Sequence, residues 1–233
     1  MIKIAFFDLD NTLAPVGKPM PHYCAVKLRR IRKLGVRVAV CSGKPVAYLN
    51  GFARQAGIKD LIMCGENGLT YQFGVDLPPA FSGTLPVPEE DLKALASVAR
   101  SFKAAFGDKC WYQPNEYAFT PFPRKNEYFG PMRAFLSKKT KGTKLVIYEH
   151  FDCFDVLPSG TDKGRALRNI CAVLGIPPEE AAAVGDHIND HPMFDPAGLS
   201  VGIKLDDPSK AKHNVRTLSD ALDLIIKEIN SNG

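Results

Sequence analysis

The chain has 233 residues, 45% hydrophobic and 24% charged, with a formal net charge of +5. This is the composition of an ordinary soluble globular protein, long enough for one large domain or a domain with a smaller insertion. No apolar stretch is long enough to span a membrane, and without a continuous Lys/Arg tract the mild positive charge suits an anionic ligand rather than indicating nucleic acid.

Residues 2–7, 36–41 and 61–64 are short, nearly continuous apolar runs, the pattern of strands buried on both faces of a parallel sheet. The first run is too short for a signal-peptide apolar segment and leads straight into Asp8. Between the first two runs, Cys24, Leu28 and Ile31 at i, i+4, i+7 predict a helix that stops at Gly35. Ser42-Gly43-Lys44-Pro45 then opens a second helix, with Pro45 near its first turn. The opening is a βαβαβ unit.

Pro78-Pro79 and residues 82–88 break this pattern. Beyond them Leu92, Leu95, Ala96, Ala99, Phe102 and Phe106 predict an amphipathic helix, followed by strands over 109–113 and 116–122. A helix over 131–139 and strands over 144–150 and 153–157 complete an α-β-β pattern repeated without sequence similarity. Alternating strands and helices return with the stripe Leu167, Ile170, Cys171 and Leu174, the runs 181–184 and 199–203, and a closing helix over 221–229. The expected architecture is α/β: a doubly wound parallel-sheet core, residues 1–81 plus 157–233. An α+β cap, residues 82–156, is inserted into it through two linkers. The six cysteines are widely spaced and several lie in apolar runs, which predicts buried, reduced thiols and a cytoplasmic location.

Asp8 and Asp10 close the first strand two residues apart, so extended backbone sends both side chains to one face, at the sheet edge that lines the ligand crevice of such folds. Two adjacent carboxylates repel unless a cation compensates them, and Mg²⁺ with its oxygen ligands suits that task. Taken alone, Asp10-Asn11 is equally a capped turn. Asp186 follows the run 181–185 and is expected at the same edge, where it completes a metal site with Asp8; Asn189 and Asp190 lie one turn further on. His187 and His191, four apart, offer a zinc alternative, opposed by Pro192 and by the lack of a nearby Glu. Ser42 and Gly43 stand where a hydroxyl and free backbone N–H groups bind phosphate, or where Ser42 is a plain N-cap. Lys163 opens a helix, a place unfavourable for a cation unless an anion is held there.

In order and spacing these motifs resemble those of the haloacid dehalogenase superfamily of phosphohydrolases, over nearly the whole chain. Asp8-Leu9-Asp10-Asn11-Thr12 looks like the family's first motif, Ser42 its second, Lys163 its third, and Gly185-Asp186 with Asn189-Asp190 its fourth. The insertion between the second and third motifs resembles the type-2 (C2B) cap of the Cof, sucrose-phosphatase and phosphomannomutase-like group, and Cys64-Gly65-Glu66-Asn67-Gly68 and Asp155-Val156-Leu157-Pro158 agree. Lys44 stands where many relatives carry Arg. The resemblance implies Asp8 as nucleophile, forming a phosphoaspartate, and Asp10 as acid and then base. It implies Mg²⁺ held by Asp8, the Asp10 carbonyl and Asp186, with Asp190 nearby. It implies phosphate binding by Ser42, Gly43 and Lys163, and a role for Asn189 in orienting the phosphate or an acidic neighbour.

The implied activity is a Mg²⁺-dependent phosphatase of a small phosphorylated metabolite, a sugar phosphate or phosphoglycolate, with no nucleic-acid or membrane partner. A phosphomannomutase-like mutase is the alternative, disfavoured because residues 81–156 offer only Arg100, Arg124 and Arg133 for a second phosphate. A non-catalytic binding protein is opposed by the intact Asp8, Asp10, Lys163 and Asp186. Trp111, Tyr112, Tyr117, Phe119, Arg124 and Tyr128 are read mainly as core or surface of the cap, and 138–141 as a solvated helix end.

Overall fold

In the computed structural model, which describes residues 1–231, the elements run β1 (Ile4–Phe7), α1 (His22–Lys33), β2 (Arg37–Cys41), α2 (Val46–Ala56), β3 (Ile62–Gly65), β4 (Thr70–Phe73) and β5 (Phe81–Thr84). There follow α3 (Glu89–Phe106), β6 (Cys110–Tyr112), β7 (Pro121–Pro123), α4 (Phe129–Thr140), β8 (Val146–Glu149) and β9 (Phe154–Leu157). The chain then forms α5 (Lys163–Leu174), β10 (Ala181–Gly185), α6 (His191–Phe194), β11 (Leu199–Ile203), β12 (His213–Val215) and α7 (Leu218–Ser231).

Eight strands make one sheet in the order β12-β11-β10-β1-β2-β3-β4-β5, parallel from β12 to β3 and antiparallel at β4 and β5. Its faces are built by strand alternation. Ala5, Phe7, Val38, Val40, Ala182 and Val184 enter one core with α1, α2 and α7, while Ile4, Phe6, Ala39, Cys41, Ala181 and Ala183 enter the other with α5 and α6. All six cysteines are buried and none forms a disulfide. Among the described residues, no helix is long and apolar enough to cross a membrane.

The chain divides into two units. The first comprises Met1–Thr84 and the chain from Asp162 onward; the second is Leu85–Thr161. These borders differ from the expected 82 and 156 for a physical reason. Residues 81–84 hydrogen-bond to β4 as an edge strand of the large sheet, and at the other end the backbone N–H and hydroxyl of Ser159 both donate to buried Asp91 of α3. β4, β5 and β12 were not expected from sequence.

The second unit packs α3 and α4 around Leu95, Phe102, Met132, Leu136, Phe154 and Val156. It has two separate hairpins, β6–β7 and β8–β9, linked by the isolated bridge Phe119–Val156, rather than one regular sheet. The predicted strand over 116–122 is reduced to Pro121–Pro123, because the Asn115 side-chain N–H donates to the Thr120 hydroxyl and turns the chain there.

Candidate active site

β1 and β10 are neighbours, with Phe7 opposite Val184, and the Asp8 N–H donates to the Val184 carbonyl at 3.0 Å. The ladder therefore carries Asp8 and the Gly185-Asp186 segment to the same carboxyl edge. There the carboxylates of Asp8, Asp186 and Asp190 converge, with oxygens within 4.8 Å of one another. Asp8 and Asp190 are buried and Asp186 is half-buried.

Lys163, the first residue of α5, is buried and sends Nζ between two of these acids, 2.5 Å from Asp8 Oδ1 and 2.6 Å from Asp190 Oδ1. Its neighbour Asp162 caps the helix by accepting from the Arg165 N–H at 2.7 Å. Gly164 lies so close to Pro192 that a Cβ would stand 2.0 Å from that carbonyl oxygen. This seats the start of α5 against the 188–192 segment and brings the lysine to Asp190.

Asp190 is a strut. Beside Lys163 on one oxygen, its other oxygen accepts from the Asp186 and His187 N–H groups at 2.9 and 3.0 Å, which shapes the loop after β10. Gly185 makes room for it, since a Cβ there would lie 2.3 Å from Asp190 Oδ2.

Three carboxylates against one ammonium leave the cluster short of positive charge. Burial pushes the Asp8 carboxyl up to about 7, with Lys163 opposing and Asp190 and Asp186 adding to the rise. Burial and Asp190 raise Asp186 to about 6, opposed by the Thr12 hydroxyl, which donates to its Oδ1 at 3.0 Å. Burial acts to lower the Lys163 ammonium, but Asp190 and Asp8 outweigh it and hold the group above its ordinary value. A hard divalent cation fits this donor set, which is all carboxylate oxygen and carries negative charge left uncompensated by protein.

Asp10 stands apart from the cluster. Its half-exposed carboxylate pairs with Lys44 at 3.0 Å, and Asn11, with φ of 60°, turns the chain sharply behind it. Asp10 also borders a cleft of about 580 Å³ lined in part by Lys18, His22, Tyr48 and Phe52.

Ser42 is buried just past β2. Its N–H donates to the Cys64 carbonyl, its own carbonyl accepts from Asn67 N–H, and its Oγ accepts from Lys44 N–H at 3.3 Å. It does not cap α2, whose N-cap is Pro45. Gly43 is half-buried beside it, and Asn189 is half-buried in the 188–190 turn. His187 and His191 belong to neither of the metal-ligand groupings among the described residues. In sequence, Thr12 stands within the first motif and Lys44 after Ser42, with no partner indicated for either. Thr12 and Lys44 are a hydroxyl and a lysine of common type, and only the fold shows that they address Asp186 and Asp10.

The haloacid dehalogenase-like hydrolase family model matches residues 5–76 and 91–224. A phosphoglycolate phosphatase of Methanoculleus marisnigri is 27% identical over 95% of this chain and 89% of its own. The fold is shared with a haloacid dehalogenase-like hydrolase from Bacteroides thetaiotaomicron, TM-score 0.76 at 19% identity, over 97% of this chain and 100% of that one. It is shared as well with a subclass IIB sugar phosphatase of the superfamily, TM-score 0.72 at 19% identity, over 98% and 99%. The motifs, the edge on which they meet and the family match agree: the chain belongs to the haloacid dehalogenase-like hydrolases, an enzyme with the fold of their type-2-capped members.

Proposed function

We propose that this hydrolase is a Mg²⁺-dependent phosphatase of small phosphorylated metabolites, phosphoglycolate or a sugar phosphate, working through a phosphoaspartate on Asp8. The observation that carries the reading is the buried Lys163 bridging Asp8 and Asp190 beside Asp186, a cluster of three convergent carboxylates against one ammonium. The phosphoglycolate phosphatases among its relatives support the substrate class.

An Asp8 carboxylate oxygen attacks phosphorus while the bond to the leaving oxygen breaks, and Asp10 gives that oxygen its proton. Asp10 then takes a proton from water, whose oxygen attacks the phosphorus; the bond to Asp8 breaks, and inorganic phosphate leaves. Asp10 suits both tasks because its carboxylate is partly exposed and lies outside the metal cluster. Ser42, the Gly43 backbone and Lys163 hold the phosphoryl oxygens, and Asn189 orients them. Asp8, Asp186 and the Asp10 carbonyl would hold Mg²⁺, with Asp190 behind them, and the bound ion would supply positive charge to keep Asp8 ionised and to screen it from the phosphoryl group. Six buried thiols, none in a disulfide, suit a reducing cytoplasm.

Phosphate release from 2-phosphoglycolate and a panel of sugar phosphates tests this. Release should require Mg²⁺, stop with EDTA, and fall by at least about 10³-fold in Asp8→Asn, as for loss of a covalent nucleophile. Metal-independent hydrolysis that survives Asp8→Asn overturns it, and phosphoryl exchange between hexose positions without phosphate release replaces it with a mutase.

A further inference from the structure

The second unit holds another convergence of ligand-type side chains. His150, Cys153 and Asp155 offer an imidazole nitrogen, a thiol sulfur and a carboxylate oxygen, all within 4.8 Å of one another. Backbone geometry puts them there. The His150 N–H donates to the Cys153 carbonyl at 2.9 Å and closes the turn between β8 and β9, so these two residues face each other across the hairpin. Cys153 and Asp155 are two apart along extended chain and share a face. Phe154 and Val156 alternate to the opposite face and enter the apolar core, which leaves the polar trio together on its own side.

We propose that His150, Cys153 and Asp155 form a second metal site, suited to a borderline transition ion such as Zn²⁺, with a fourth position for water. Sulfur and imidazole donors favour such an ion over Mg²⁺, so the site is chemically distinct from the all-oxygen cluster at Asp8. Bond lengths of about 2.0–2.3 Å to a tetrahedral ion put neighbouring ligand atoms roughly 3.3–3.8 Å apart. His150 Nε2 and Asp155 Oδ2 already stand at 3.4 Å. Asp155 has the supporting bond that oriented ligands usually carry: the buried Thr120 hydroxyl donates to its other oxygen at 2.7 Å, and Thr120 in turn accepts from the Asn115 side chain. Cys153 and Asp155 are buried, while the His150 side chain is 18% exposed and marks a way in for the ion. Binding takes the thiol proton of Cys153 to solvent, leaves the imidazole neutral, and ties the hairpin turn from three points.

Co²⁺ titration of reduced, chelator-treated full-length protein tests the proposal, because only a thiolate ligand adds sulfur-to-Co²⁺ charge-transfer absorption. One equivalent should develop that band in the presence of excess Mg²⁺, and Asp8→Asn should retain it. Cys153→Ser should abolish it, His150→Gln should weaken Co²⁺ binding at least tenfold, and Thr120→Val should weaken it by roughly tenfold as for loss of an outer hydrogen bond. Circular dichroism checks folding; should Cys153→Ser fail to fold, the partly exposed His150→Gln decides. Absence of the band in the wild type, its persistence in folded Cys153→Ser, or unchanged affinity in folded His150→Gln overturns the site.

Discussion

Two buried polar clusters, one at the carboxyl edge of the large sheet and one on the β8–β9 hairpin, solve the same problem differently. At the sheet edge, the donors are Lys163, Thr12 and two backbone amides, and they serve three carboxylates. Charge remains in excess, and Asp8 and Asp186 are held well above ordinary carboxylates. On the hairpin a single carboxylate, Asp155, has a hydroxyl on one oxygen and an imidazole beside the other, fed by a chain of neutral amides from Gln113 through Asn115 to Thr120. The contrast shows why one cluster reads as reactive and the other as a quiet ligand set: burial combined with incomplete charge compensation, rather than burial alone, marks the chemistry.

Removing the one cation should expose this difference most strongly. Lys163→Met leaves Asp8 and Asp190 without their ammonium, and breaking such a buried pair costs about 3–5 kcal/mol. Denaturant unfolding at pH 7.5 without Mg²⁺ checks the loss, which should shrink at pH 5 as Asp8 takes up a proton. A loss below about 1 kcal/mol, the range of exposed ion pairs, would erase the distinction between the two clusters.

A pH series sharpens it next. Asp8 and Asp186 titrate near 7 and 6 when folded. Unfolded carboxylates titrate near 4, so between about pH 4 and 7 the native state binds protons that the unfolded chain has released. Metal-free stability must therefore fall as pH rises through that window, by an amount on the order of a few kcal/mol, and level off above it. Mg²⁺ should raise the melting temperature far more at pH 7.5 than at pH 5. Equal stabilisation at both values contradicts the charge excess.

The smallest effect belongs to Thr12→Val, which removes one hydrogen bond from Asp186 without touching its charge. Mg²⁺ affinity, read from the metal dependence of phosphate release, should weaken by roughly tenfold while the protein stays folded. No change would mean that Asp186 needs no help to hold its orientation.

Much of the first cluster was legible in the sequence because its parts are short motifs at strand ends: Asp8 after an apolar run, Asp186 after another, Lys163 at a helix start. Period and apolarity located β1, β10 and β11 for the same reason. What escaped depends on partners distant in sequence. Residues 70–84 carry Tyr71, Gln72 and Ser82 in place of a pure apolar run, and Pro78-Pro79 breaks them, so no strand was expected where an antiparallel edge hairpin forms. The borders of the second unit moved because Asp91 and Ser159, 68 residues apart, bond to each other. On the hairpin, His150, Cys153 and Asp155 sit in an unremarkable HxxCxD spacing that only the turn geometry folds into one point.

The bond from Asp8 N–H to the Val184 carbonyl joins two stretches of chain that the second unit separates in sequence. Adjacent strands lie about 4.8 Å apart, and a one-residue slip turns every side chain over, so the spacing of the two acids is a property of backbone pairing and is either right or absent. Closing this long loop and assembling the site are then a single event. During refolding, the first appearance of enzymatic turnover times the meeting of the two halves of the core, a clock for the least local strand pairing among the described residues.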